Sequence, residues 1–265
     1  MTKSIWIVNQ KGGTGKTTVS APVVDHLIYS GSAARIIDAD TQPEQKKGAS
    51  LSAIFPAAGR IDIGVAPEEL LNKPSLAVAH YDQLFEAAKT DDMLVDFGAN
   101  VSSSLLYWME ESEIGERLGR AGIHLDIVII TTAHPDAVGD ALELVKRLRQ
   151  LLPKSASRLF VALNQGAGDF DAYANSPEMA EFTALRGAGD IELMLIPKCI
   201  SEIWRDIEKH RITAFAANAM SSEKLASKLG TPELETSRGR KALGKWHKAV
   251  ISEFVRCGIV ADGAQ

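Results

Sequence analysis

The chain has 265 residues, 45% of them hydrophobic and 24% charged, with a net charge of −5. That length suits one large α/β domain with a real core and leaves little for a second, and the acidic total excludes a protein coated all round with basic charge while leaving a local patch open. Cys199 and Cys257 stand far apart with no CxxC spacing, and the histidines at 26, 80, 124, 134, 210 and 247 show no ligand spacing, so neither a disulfide framework nor a thiolate or histidine metal site is indicated.

In chain order, short apolar runs alternate with longer segments of helical period, the pattern of βαβ units. Strands are predicted at Ser4 to Asn9, Ala33 to Asp38, Met93 to Phe97, Leu125 to Thr131, Arg158 to Asn164 and Ile191 to Ile196. Several are apolar on both faces, as strands buried between two helix layers should be. Helices are predicted at Gly15 to Ser30, Ser75 to Lys89, Ser102 to Leu118, Pro135 to Leu151, Ser176 to Leu185 and Ser201 to Lys209. Pro22 removes a hydrogen bond inside the first helix, so a kink is expected there. Thr41 to Thr90 holds Pro43, Pro56, Pro67 and Pro74 and reads as a region of elaboration. After Pro232, Leu243, Trp246, Val250 and Phe254 share one face of a terminal helix, Leu234 to Cys257. The expected architecture is a three-layer αβα fold on a mainly parallel twisted sheet, with residues 1–235 as its body and 236–265 as a basic helix and tail packed on it. The amino terminus runs straight into a strand pattern, and no stretch of about 18 apolar residues occurs, so the chain reads as unprocessed, soluble and cytoplasmic.

The run Asn9-Gln10-Lys11-Gly12-Gly13-Thr14-Gly15-Lys16-Thr17-Thr18 lies between the first strand and the first helix. A helix start presents unpaired N–H groups and partial positive charge, so this turn attracts anions. Gly12, Gly13 and Gly15 allow the backbone to wrap a phosphate, Lys16 reaches its outer oxygens, Thr17 offers a hydroxyl to Mg²⁺, and Thr18 adds a contact to the α-phosphate. Asp38 and Asp40 end the second strand and Asp96 the third, at the carboxyl edge of the sheet, where carboxylates hold Mg²⁺ through its waters or orient an attacking water. Gly98 is a candidate backbone donor to the γ-phosphate.

Position 10 is Gln where the general phosphate-loop pattern has Gly, and the run as a whole resembles the deviant Walker A loop, KGGxGK[ST], of the ParA/MinD ATPase family. The resemblance implies a P-loop ATPase that dimerises on Mg-ATP and hydrolyses it slowly. It assigns to Lys11 a role across the dimer interface at the partner's nucleotide, to Asp38 the outer Mg²⁺ shell, to Asp40 the hydrolytic water and to Asp96 a Mg²⁺-bound water. Thr41 stands where the family's switch segment has proline. By the same resemblance Asn164, and the backbone around Pro197 and Lys198, contact the base. No Asn-Lys-x-Asp run follows any strand, which favours ATP over GTP. The segment Asp96-Phe97-Gly98-Ala99 resembles the branch that includes TraL-type proteins of plasmid transfer operons.

Three neighbouring readings are set aside. Thr18 stands where a GxGxxG dinucleotide loop needs its third glycine, no His-Arg-Asp loop precedes Asp96-Phe97-Gly98 as a kinase requires, and the two cysteines do not suit an iron–sulfur cluster on a dimer axis. A metabolic ATP-dependent ligase on the same scaffold, related to dethiobiotin synthetase, stays open as the alternative; Lys11 speaks for the dimeric switch.

The implied partners are a second copy, an activating protein or cargo, and DNA. Residues 238–256 carry six basic side chains, Arg238, Arg240, Lys241, Lys245, Lys248 and Arg256, against Glu253, a segment charge of +5 that leaves −10 for the rest. Such a helix face can hold DNA phosphates without reading sequence, so plasmid segregation or cargo positioning is the expected output. The ending Ile259-Val260-Ala261-Asp262-Gly263-Ala264-Gln265 makes a poor membrane anchor.

Overall fold

A computed structural model of the chain describes residues 1–9, 11–39, 50–60, 76–99 and 101–263. Its strands are β1 (Thr2–Val8), β2 (Arg35–Ala39), β3 (Gly59–Arg60), β4 (Met93–Phe97), β5 (Ile123–Thr132), β6 (Ser157–Asn164) and β7 (Glu192–Ile196). All the pairings are parallel, in the order β3-β2-β4-β1-β5-β6-β7. The helices are α1 (Lys16–Tyr29), α2 (Leu51–Ile54), α3 (Leu76–Ala88), α4 (Ser102–Glu111), α5 (Ile114–Ala121), α6 (Pro135–Leu151), α7 (Pro177–Gly187), α8 (Trp204–Lys209), α9 (Ala214–Ala219), α10 (Ser222–Leu229) and α11 (Glu233–Arg256).

The period of two along the strands divides the core. Ile5 and Ile7 of β1 join Val19, Val23 and Val24 of α1 and Leu243, Trp246, Val250 and Phe254 of α11 on one face. Trp6 and Val8 join Tyr81, Leu105, Trp108 and Val145 on the other. These two apolar layers make the three-layer αβα fold expected from the alternation of elements. The terminal helix starts at Glu233, and its buried stripe makes it part of the body's core.

Two differences from the sequence expectation have local causes. The helix expected over Ser102 to Leu118 breaks between α4 and α5, where Glu113 adopts a left-handed φ of 49°. The turn sets α5 against the end of α6 so closely that a Cβ on Gly115 would lie 2.1 Å from the Leu151 carbonyl oxygen. Pro22 lies buried inside α1. The short elements α2, β3, α9 and α10 carry too few residues for a readable period.

At the far end of the sheet from the glycine-rich loop, Asp126 is fully buried and accepts two hydrogen bonds from Arg158, at 2.8 and 2.7 Å, with Lys3 at 3.1 Å and His124 at 3.2 Å. Arg158 and Lys3 also donate to the carbonyls of Cys257, Gly258 and Ile259, placing positive charge at the carboxyl end of α11. Ile259 and Val260 are packed into the body beside these contacts. Among the described residues no helix is long and apolar enough to cross one.

Candidate functional site

β1, β2 and β4 end side by side, with Asp38 and Asp96 facing each other in register across β2 and β4. The turn from β1 into α1 lies over these ends. Gly13 and Gly15 hold left-handed φ values of 76° and 85°, which explains glycine at both positions. Gly15 is the residue from which α1 starts, so the first-turn N–H groups of α1 open onto the turn.

Beneath the loop the polar groups are interlocked. The Thr17 hydroxyl donates to one oxygen of Asp96 at 2.9 Å, and the Ser20 hydroxyl donates to the other at 2.9 Å. Burial lifts the Asp96 carboxyl to about 7; the Ser20 and Thr17 hydrogen bonds oppose that, Asp38 adds to it, and Lys16 opposes it. Asp38 is buried and accepts from the Ser52 N–H, at the start of α2, at 2.8 Å. Lys16, also buried, donates to the Lys11 carbonyl at 3.4 Å. Ser20 had escaped the sequence reading; it stands one turn after Lys16 on the α1 face that meets β4, and that spacing was its only signal.

Lys11 lies along its own chain. Its ammonium is 3.2 Å from the Asp136 carboxylate and 3.3 Å from His134 Nδ1, at the start of α6. Asn9, fully buried, donates to the Ile130 carbonyl and accepts from the Lys11 N–H at 3.3 Å. The Gly98 N–H donates to the Ala39 carbonyl at 3.2 Å, continuing the β2–β4 ladder. Asp40 lies outside the described residues.

At the other side of the loop, Asn164 ends β6 and donates from Nδ2 to the Thr14 carbonyl at 2.9 Å. The Pro197 carbonyl accepts from the Trp246 indole at 2.8 Å, so the segment after β7 is tied to α11, and Lys198 is exposed beside it. A cavity of about 220 Å³ opens next to Thr17 and Thr18, walled by Pro22, Trp204, Ile212 and Trp246 with Glu208 and Arg211 at its polar side. Trp204 meets Trp246 edge to face at 5.0 Å. Helical spacing cannot separate a core face from a cavity wall, so the wall these two tryptophans make is not legible in the sequence. Arg211 holds a left-handed φ of 52°, a conformation that non-glycine residues adopt infrequently.

The charged stripe on α11 is narrower than its composition. Arg238 pairs with Glu202 at 3.5 Å, Arg240 donates to the Met220 carbonyl, and Arg256 binds Glu253 and the Leu193 carbonyl. Lys241, Lys245 and Lys248 remain exposed on one face, and no ion pair to them occurs among the described residues.

Residues 2–60, which span β1, the loop, α1 and β2, match the model of a family described as an AAA domain. No curated protein matches the chain. Among solved structures the chain is similar to the cell division ATPase MinD of Pyrococcus furiosus, at 19% identity over 95% of this chain and 99% of that one, with a TM-score of 0.49. It is similar to the septum site-determining protein MinD of Pyrococcus horikoshii, solved with Mg-ADP, at 17% identity over 98% of each chain and a TM-score of 0.49. An ATP complex of a McdA variant from Cyanothece aligns at 16% identity over 92% of this chain and 96% of that one, with a TM-score of 0.41.

Proposed function

We propose that the chain is an ATPase switch of the ParA/MinD type, which binds Mg-ATP on residues 11–18, dimerises in that state and hydrolyses the nucleotide slowly to position or segregate plasmid DNA or a protein cargo. The observation that carries the reading is the interlocked group under the loop: a glycine turn opening a helix, a buried Lys16, and a Thr17 hydroxyl set on a buried carboxylate, Asp96, beside Asp38. A glycine cradle with a lysine suits phosphates, and oxygen ligands reaching a cation through water suit Mg²⁺. When bound, Mg-ATP supplies the phosphoryl group transferred to water. Thr17, Asp38 and Asp96 would hold the cation, Lys16 would neutralise the outer phosphates, and Asp40 would orient the water. Lys11 would leave Asp136 to reach the partner's nucleotide. Asn164, Pro197 and Lys198 would bound the base side, and the cavity walled by Trp204 would offer an apolar wall for a ring. The exposed Lys241, Lys245 and Lys248 would carry any DNA contact.

The reading is tested by calorimetric titration of Mg-ATP and Mg-GTP into the wild type and Lys16→Ala, with phosphate release measured alongside. ATP is expected to bind more tightly than GTP, and Lys16→Ala to lose about 10- to 100-fold in ATP affinity, the effect of one charge-assisted contact. Equal ATP binding by the two proteins would contradict the site.

A further inference from the structure

The side chain of Asn164 makes both of its observed bonds to backbone. Nδ2 donates to the Thr14 carbonyl at 2.9 Å, and Oδ1 accepts from the Gly166 N–H at 3.0 Å, which fixes the side chain's orientation. It is nearly buried, at 7% exposure, and so is Thr14. The fit against the loop is close: a Cβ on Gly15 would fall 2.5 Å from Nδ2.

This contact acts on the phosphate loop through the geometry of one peptide unit. The peptide is planar and trans, so its C=O and N–H point in opposite directions. Drawing the Thr14 oxygen toward β6 therefore turns the Gly15 N–H the other way, away from Asn164. The left-handed Gly15 is what lets the chain enter α1 with that peptide so oriented. Asn9 braces the opposite end of the loop from β1, by its bonds to the Ile130 carbonyl and the Lys11 N–H. The loop is thus suspended between two buried asparagines, one just after β1 and one at the end of β6, the two strands that flank β5.

We infer that Asn164 is a positioning residue of the phosphate loop, which presents the Gly15 N–H to the phosphates and so strengthens triphosphate binding whatever base is attached. The inference rests on the nucleotide reading above and reassigns this residue within it. A base contact would use the amide to tell one ring from another; a loop brace contributes equally to a ligand that has no ring.

Inorganic tripolyphosphate separates the two roles. Binding of Mg-tripolyphosphate, Mg-ATP and Mg-GTP would be measured for the wild type, Asn164→Ala and Asn164→Asp, with thermal melts to establish that each variant is folded. Asn164→Asp keeps the acceptor for Gly166 and loses the donor to Thr14. Both variants are expected to lose about tenfold in affinity for all three ligands, the scale of one lost hydrogen bond, with the ATP to GTP ratio unchanged. In ¹H–¹⁵N spectra the shift of the Gly15 amide on adding tripolyphosphate should collapse in Asn164→Ala while those of Lys16 and Thr17 persist, a pattern that general loosening would not produce. Tripolyphosphate affinity that survives in Asn164→Ala while ATP affinity falls would overturn the inference in favour of a base contact, and unchanged affinity for all three ligands would overturn it outright. A wild type that binds none of them would overturn the nucleotide reading, and the inference with it.

Discussion

Asp25 and His247 sit in the same helical layer and respond to pH in opposite senses. Burial lifts the Asp25 carboxyl to about 6, against hydrogen bonds from Thr213 and the Phe215 N–H. Burial lowers His247 to about 4, with His26 adding to the effect, and its Nε2 is buried without a hydrogen bond among the described residues. A raised carboxyl favours the folded state when protonated, so the Asp25 contribution is complete below about 4 and lost as pH rises through about 6. A depressed imidazole favours the folded state when neutral, so the His247 contribution is complete above about 6.5 and lost as pH falls through about 4. Each amounts to about 3 kcal/mol and the two nearly cancel across the shared window. Urea unfolding at stepped pH should therefore show Asp25→Asn losing stability relative to wild type as pH falls from 6.5 to 4, and His247→Gln gaining it. Two parallel curves would contradict the assignment. Asp126 answers to a different measurement: replacing it with Ala leaves Arg158 and Lys3 only the carbonyls at the end of α11, and because both cations are partly exposed a loss of about 1 to 3 kcal/mol is expected in the same unfolding assay. None of these three residues was legible in the sequence, since Arg158, Phe215 and His26 stand 32, 190 and 221 positions away from Asp126, Asp25 and His247.

The elements themselves were far more legible, for reasons that follow from period and length. β4 matches its sequence expectation because four apolar residues around Asp96, all five positions buried, mark a strand covered on both faces, and α6 matches because Pro135 marks its start and 17 residues give a long period. α11 shows how composition alone misleads. Its six basic residues read as one cationic face, yet three of them hold Glu202, Met220 and the β7 edge. The Glu253 carboxylate accepts from the Leu195 N–H while Arg256 donates to the Leu193 carbonyl, so polar side chains of α11 occupy outward groups of the edge strand β7. Only Lys241, Lys245 and Lys248 are left for phosphates. If DNA binds there, replacing all three with Ala should reduce the slope of log affinity against log salt by about 2.7 per protomer, from about 0.9 for each phosphate contact. Replacing Arg256 should instead disturb the β7 edge and leave that slope in place; the reverse result would move the DNA surface elsewhere.

At the scale of the whole molecule, the order of strands brings β1, β2, β4 and β6 to one rim, so that residues as distant in sequence as Lys16, Asp38, Asp96 and Asn164 close round one turn. The loop residues were legible because a glycine-rich turn between strand and helix is a local run, and the Asp38 and Asp96 carboxylates because each falls at the end of an apolar strand. What sequence could not provide was the resting place of Lys11. In the single chain it lies on Asp136 and His134, an exposed pair that solvent screens, so its release to a partner would cost little. The most direct test of the switch is the mass in solution of wild type, Lys11→Ala, Lys16→Ala and Asp40→Ala, measured by light scattering with Mg-ATP and with Mg-ADP. The account predicts a dimer for Asp40→Ala in ATP alone, a partial shift for wild type, and monomers for both lysine variants. One unchanging mass for all four proteins in both nucleotides would contradict it.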